Sequence, residues 1–266
     1  MNPLITADEL AVSGGVVICD LRWDLTDKAK GKTTYEEGHI PGAVFVDLDT
    51  DLAAAPGIDG RHPLPTTGEF ASALGRLGVA PDSHVVAYDD AGGRVAARLW
   101  WMLRSVGHEQ VQVLDGGYRA WVAAGHLVET GWKQPSPSHY PEPDRWHGVV
   151  SRWDLEDITV IDARAPARYR GEYEPVDPKA GHIPGAVNIP SDDNLDENGR
   201  FLAADALADL YDGLPADVAV SCGSGVTACH DALAMVAAGL PMPLVYVGSF
   251  SEWSRRDLPV AQGPTP

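Results

Sequence analysis

Short apolar runs alternate with longer amphipathic ones along most of the chain. "HVVAY" at 84–88 is bounded by turn-forming and charged residues and is too short for a helix, so it predicts a buried strand. "RVAARLWWMLRSVG" at 94–107 repeats its apolar positions at helical spacing. The same couple returns as the strand "DVAVS" at 217–221 and the helix "VTACHDALAMVAAG" at 226–239, where Val226, Cys229, Leu233 and Val236 share one stripe. Strands that feed directly into helices predict βα units, and hence a mostly parallel sheet with helices on both faces.

The pattern is also an internal repeat. "GHIPGAVFVD" at 38–47 recurs as "GHIPGAVNIP" at 181–190, with seven identical residues in a row. Its Pro and two Gly suit a fixed turn, and its His reads as an internal hydrogen-bonding residue. "VVICDLR" at 16–22 and "VIDAR" at 160–164 both read as buried strands closing on an Asp and an Arg, with Asp20 and Asp162 placed to orient the arginines. "VQVLDGGYRAW" at 111–121 matches "PLVYVGSFSEW" at 243–253. Carried back without gaps, that register sets Gly107 on Gly239 and Asp90 on Cys222, so the first copy has a carboxylate where the second has a thiol.

Between the copies, "GWKQPSPSHYPEPDRWHG" at 131–148 is rich in Pro and Ser and lacks apolar periodicity, which reads as a linker with the boundary near Ser138. The expected organisation is a first α/β domain over 1–133, a linker over 134–148 and a second α/β domain over 149–266.

Composition narrows the function. A hydrophobic share of 44% supports a sizeable core. No apolar run approaches membrane-spanning length and no basic-then-apolar leader opens the sequence, so a cytoplasmic protein without a membrane partner is expected. The formal charge of −18 argues against nucleic acid and repels small anions at long range, so an anionic substrate would need locally fixed cations. Cys19, Cys222 and Cys229 form neither a disulfide framework nor a metal-ligand spacing. Cysteine chemistry here is expected to involve one thiol and no metal.

That thiol is Cys222. It falls in the turn between a strand and a helix, at the carboxyl end of the strand, where ligand sites of open α/β sheets lie. The helix dipole and the free amides of the first turn favour negative charge on sulfur, while Gly223 and Gly225 let the backbone curl around it as a nest. Cys229 lies on the apolar stripe of the following helix and Cys19 inside a strand, which suits packing.

Paired α/β domains carrying "GHIPGAV", with a cysteine loop only in the second, resemble the two-domain sulfurtransferases typified by rhodanese over nearly the whole chain. The loop "CGSGVTAC" is similar to that of 3-mercaptopyruvate sulfurtransferases; thiosulfate-using relatives commonly have basic residues where Gly223 and Ser224 stand. The resemblance implies tandem rhodanese-like domains, the first non-catalytic, and transfer of a sulfane sulfur from a small anionic donor, 3-mercaptopyruvate, through a Cys222 persulfide to an acceptor. That acceptor would be a small thiol, a protein thiol such as thioredoxin, or cyanide, with no cofactor. It also implies a proton-handling triad of Ser224, His62 in "RHPLP" and Asp47 at the end of "GAVFVD". His62 lies in the stretch 51–65, absent from the second copy, and is expected to reach from the first domain to the second.

Arg168 in "APARYRG" is implied as the donor's oxyanion ligand, with Gly223, Gly225, Val226 and Thr227 forming the substrate-binding loop. A second substrate arginine is not evident: Val176 and Asp177 stand where it would fall, and Arg170 and Lys179 are not aligned with it.

Two rival classes remain. Phosphatases of related fold place an Arg six residues after the Cys, but Ala228 stands there. A binding module of this fold would not need Cys222 and its Gly-Ser-Gly. Thiosulfate is the alternative donor.

Overall fold

The computed structural model describes residues 1–265. Contacts divide the chain into two compact units, one of Met1–Ala53, Pro65–His147 and Glu197–Phe201, the other of Ala54–Leu64, Gly148–Asp196 and Leu202 onward. The segment carrying His62 therefore folds with the second unit, not with the first as expected from its place in the chain. Residues 134–147, expected as a linker, pack on the first unit: the Ser138 N–H donates to Gly75 O at 2.8 Å, and Trp146 Nε1 donates to Pro65 O at 3.1 Å.

Each unit is a five-stranded sheet in which every pair is parallel. The first contains β1 (Leu4–Ile5), β2 (Val16–Asp20), β3 (Val44–Phe45), β4 (His84–Tyr88) and β5 (Val111–Leu114), in the order β1-β5-β4-β2-β3. The second contains β6 (Val149–Val150), β7 (Thr159–Asp162), β8 (Val187–Asn188), β9 (Val218–Ser221) and β10 (Leu244–Tyr246), in the equivalent order β6-β10-β9-β7-β8. Central β4 and β9 are buried almost throughout, as continuous apolar runs in a sheet covered on both faces must be. The helices 96–105 and 228–237 follow them, their outermost expected residues lying in turns.

The repeated motifs act as paired clasps. In the first unit Arg22 binds Asp20 side-on, with Nε to Oδ1 at 3.1 Å and Nη2 to Oδ2 at 2.7 Å, and also donates from Nη2 to Gly38 O at 2.6 Å. In the second, Arg164 binds Asp162 with the matching distances of 3.0 and 2.6 Å, and Gly181 O at 2.7 Å. Each clasp ties a strand end to the glycine that opens "GHIPGAV". The next residue, His39 or His182, stacks on Tyr35 or Tyr169 and meets that tyrosine's carbonyl through Nδ1 at 2.8 Å. A carbonyl only accepts, so Nδ1 of both histidines carries the proton.

Candidate active site

Strand β9 ends at Ser221, the helix begins at Ala228, and the six residues between them form the cysteine loop. Cys222 is anchored through its backbone: its N–H donates to Ser249 Oγ at 3.1 Å, and its carbonyl accepts from the Phe250 N–H at 3.0 Å. Gly223 O accepts from the Ser251 N–H at 2.8 Å. With the main chain held there, the amides of Ser224 and Gly225 turn onto the sulfur, at 3.4 and 3.1 Å from Cys222 Sγ. These donors stabilise negative charge on it. Gly225 has φ +77°, and a Cβ there would lie 2.3 Å from Val247 O, so this turn admits only glycine. Cys222 is 2% exposed.

Ser224 Oγ lies 2.8 Å from Nδ1 of His62, both residues buried. The segment that brings His62 here is closed by the Ala54 N–H on Pro63 O at 2.9 Å and joined to the loop's support by the Arg61 N–H on Ser251 Oγ at 3.1 Å. Asp47 belongs to the first unit, where its carboxylate caps the helix 48–51 through the amides of Asp49 and Thr50 at 2.8 and 3.3 Å. Val226 is buried in the loop, and Thr227 leads into the helix without a side-chain capping bond.

Arg168, at the end of the short helix 166–169, is held side-on by Glu174, with Nε to Oε2 at 3.1 Å and Nη2 to Oε1 at 2.7 Å. Its Nη2 also reaches Asp177 Oδ2 at 3.1 Å. The other oxygen of Asp177 binds Nη1 of Arg61, a residue the sequence reading passed over. Burial alone would raise the Glu174 carboxyl, but Arg168 and the amides of Asp177 and Val176 outweigh it and hold it below its ordinary value. Burial raises Asp177 despite the opposing pull of Arg61 and Arg168. Both guanidinia stand over the loop: a Cβ built on Gly223 would lie 2.7 Å from Arg61 Nη2 and 3.5 Å from Arg168 Nη1. Arg170 and Lys179 are engaged elsewhere, on Glu172 and on the carbonyls of Arg256 and Leu258.

The other thiols lack such surroundings. Cys229 is fully buried and its Sγ donates to Gly225 O at 3.3 Å. Burial, reinforced by Asp20 and Asp51, pushes the Cys19 thiol up to about 12. Among the described residues, no group of three or more His, Cys, Asp or Glu is placed to hold a metal ion. No helix among them is long and apolar enough to cross a membrane.

The first unit corrects the ungapped alignment by one residue. Tyr88 and Ser221 pair with Asp20 and Asp162 at the same strand ends, and the next carbonyls, of Asp89 and Cys222, accept from Tyr118 and Phe250. Asp89, not Asp90, is therefore the counterpart of Cys222; the loop of the first unit is one residue longer, and a gap there shifts the register. Asp89 is fully buried, and its Oδ1 takes the amides of Ala91 and Gly93, both at 2.8 Å. Its Oδ2 takes those of Val95 and Ala96, at 2.7 and 2.9 Å. The first loop is a nest already filled by its own anion.

The rhodanese-like domain family matches this chain twice, at residues 6–124 and 149–256. The chain belongs to the rhodanese family. Among its relatives is a Pseudomonas aeruginosa protein described as a probable 3-mercaptopyruvate sulfurtransferase, 43% identical over 98% of each chain. Thiosulfate sulfurtransferase of Gallus gallus is 34% identical, over 93% of this rhodanese-family chain and 89% of its own. The structure of 3-mercaptopyruvate sulfurtransferase from Leishmania major superimposes with a TM-score of 0.84 at 32% identity, over 94% of this chain and 74% of that one. Two rhodanese domains, each a parallel sheet flanked by helices, are thus the architecture on which the cysteine loop is mounted.

Proposed function

We propose that this chain is a sulfurtransferase that takes sulfur from 3-mercaptopyruvate onto Cys222 and passes it to an acceptor thiol or cyanide. The observation that carries the reading is the pair of amides, Ser224 and Gly225, aimed at Cys222 Sγ, with Ser224 in turn on His62. The loop has no basic residue of its own next to the cysteine, and its serine is partnered by a histidine, which favours mercaptopyruvate over thiosulfate.

In the first half-reaction the Cys222 thiolate attacks the donor sulfur, forming an S–S bond as the donor's C–S bond breaks. The electron pair of that bond goes to carbon as the pyruvate enolate, which takes up a proton and leaves as pyruvate. Ser224 and His62 hold and relay protons beside the reacting sulfur. A serine hydroxyl donating to Nδ1 leaves the proton of His62 on Nε2. In the second half-reaction an acceptor thiolate attacks the outer sulfur, giving an acceptor persulfide and restoring the Cys222 thiolate; cyanide leaves as thiocyanate. The loop amides stabilise the sulfur anion in both displacements.

The test is intact-protein mass spectrometry after incubation with mercaptopyruvate. A gain of one sulfur, absent in Cys222→Ser, is expected, and its absence from the native protein overturns the reading. Thiosulfate is the second donor to compare, because a thiosulfate sulfurtransferase is among the relatives; a higher kcat/KM with thiosulfate reverses the donor assignment.

A further inference from the structure

Resting on the sulfurtransferase reading, we propose that Arg61 is the residue that takes the donor's carboxylate side-on, and that Asp177 is the positioning residue that presents it. The chain itself shows how its arginines bind carboxylates. Arg22, Arg164 and Arg168 each use the Nε–Nη2 edge, against Asp20, Asp162 and Glu174. The fork of Arg168, the arginine expected to bind substrate, is thus already closed by Glu174, leaving it Nη1 on the side of the loop.

Arg61 is the reverse case. Asp177 holds its Nη1, its Nε is buried with no hydrogen-bond acceptor among the described residues, and its Nη2 stands over Gly223. The same Nε–Nη2 edge that elsewhere carries a carboxylate is here presented beside the residue that follows Cys222. A buried guanidinium N–H without an acceptor is unfavourable, so an arriving carboxylate satisfies a donor the fold leaves unmet.

Asp177 accepts from Arg61 through Oδ1 and from Arg168 through Oδ2, so one carboxylate spaces the two cations. Gly223 leaves Arg61 Nη2 its place over the loop, since a Cβ there would lie 2.7 Å from it and push the guanidinium aside. A loop with a basic residue at 223 would supply the cation from within; this chain supplies it from the 54–64 segment. Mercaptopyruvate carries its carboxylate and its sulfur at the two ends of a short carbon chain, which suits an anion site next to the reactive cysteine.

The experiment compares wild type with R61Q, R61K and D177N, using mercaptopyruvate and, as an uncharged sulfur source, diallyl trisulfide. R61Q is expected to raise KM for mercaptopyruvate by about 10- to 100-fold with kcat held within about threefold, the worth of a charge-assisted fork. R61K restores charge without the fork and is expected to recover only part of the loss. D177N is expected to raise KM less than R61Q. The trisulfide marks Cys222 as a mixed disulfide, the thiolate forming an S–S bond to a terminal sulfur as allyl persulfide leaves, and the rate of that adduct is expected to be the same in all four proteins, which shows each variant to be folded and its thiol competent. An R61Q KM within twofold of wild type overturns the assignment, as does an equal loss with the uncharged donor. Lack of a Cys222 persulfide in wild type with mercaptopyruvate, while the trisulfide still forms its allyl adduct on Cys222, overturns the donor reading and this assignment with it; a wild-type persulfide with unchanged R61Q kinetics overturns the assignment alone.

Discussion

Ser249 holds a left-handed backbone, φ 49°, among the described residues the one non-glycine to do so. Its counterpart in the first unit is Gly117, at φ 57°, where an added Cβ would lie 2.2 Å from Asp89 O. A serine in this conformation stores about 1–3 kcal/mol of strain, so something must offset it. The hydroxyl does: it donates to Tyr246 O at 2.8 Å and accepts the Cys222 N–H at 3.1 Å, pinning the amide of Cys222. Ser249→Ala keeps the strain and orphans a buried N–H, and is expected to lose about 1–3 kcal/mol. Ser249→Gly relieves the strain and is expected to lose less. Urea unfolding gives the order, and persulfide formation is expected to slow in both; full-speed transfer in Ser249→Ala refutes the anchoring role. The sequence signal was a small polar residue standing where the other copy has glycine, visible only once the copies are aligned.

At the scale of one strand, loop and helix, the two units show the same element in two states. The thiol loop offers amides to a sulfur; the Asp89 loop has four amides on a carboxylate. Asp89→Ala leaves those buried donors without their acceptor, and is expected to cost about 3–5 kcal/mol, allowing for partial rescue by water. Asp89→Asn keeps one acceptor oxygen and is expected to fall between. Thermal unfolding of the full chain checks both, and a loss under about 1 kcal/mol for the alanine variant means the carboxylate does not organise the loop. The elements themselves were legible because strands buried on both faces and amphipathic helices leave unmistakable periods in the chain. The one-residue offset was not, because an added residue in a turn alters neither period. His62 could be nominated only by resemblance, and Arg61 not at all: a pattern of apolar positions carries no record of which unit an inserted segment packs against, and an arginine in a loop becomes informative only when its partners are known.

Across the whole molecule, 38 acidic residues oppose 20 basic ones, and the site must gather an anion against that field. Two ranges compete. The repulsion from the net charge acts over tens of ångströms and is screened strongly, because the Debye length falls from about 30 Å at 0.01 M ionic strength to about 8 Å at 0.15 M. The attraction of Arg61 and Arg168 acts at contact distance in a partly buried site, where salt screens it much less. Raising ionic strength over that range therefore removes more repulsion than attraction, and kcat/KM for mercaptopyruvate is expected to rise by about two- to fivefold, with kcat unchanged. An uncharged trisulfide is expected to show no such change. If kcat/KM for mercaptopyruvate instead fell steadily with salt, the cations near Cys222 would be governing approach from long range, and the acidic surface would have no part in how the donor arrives.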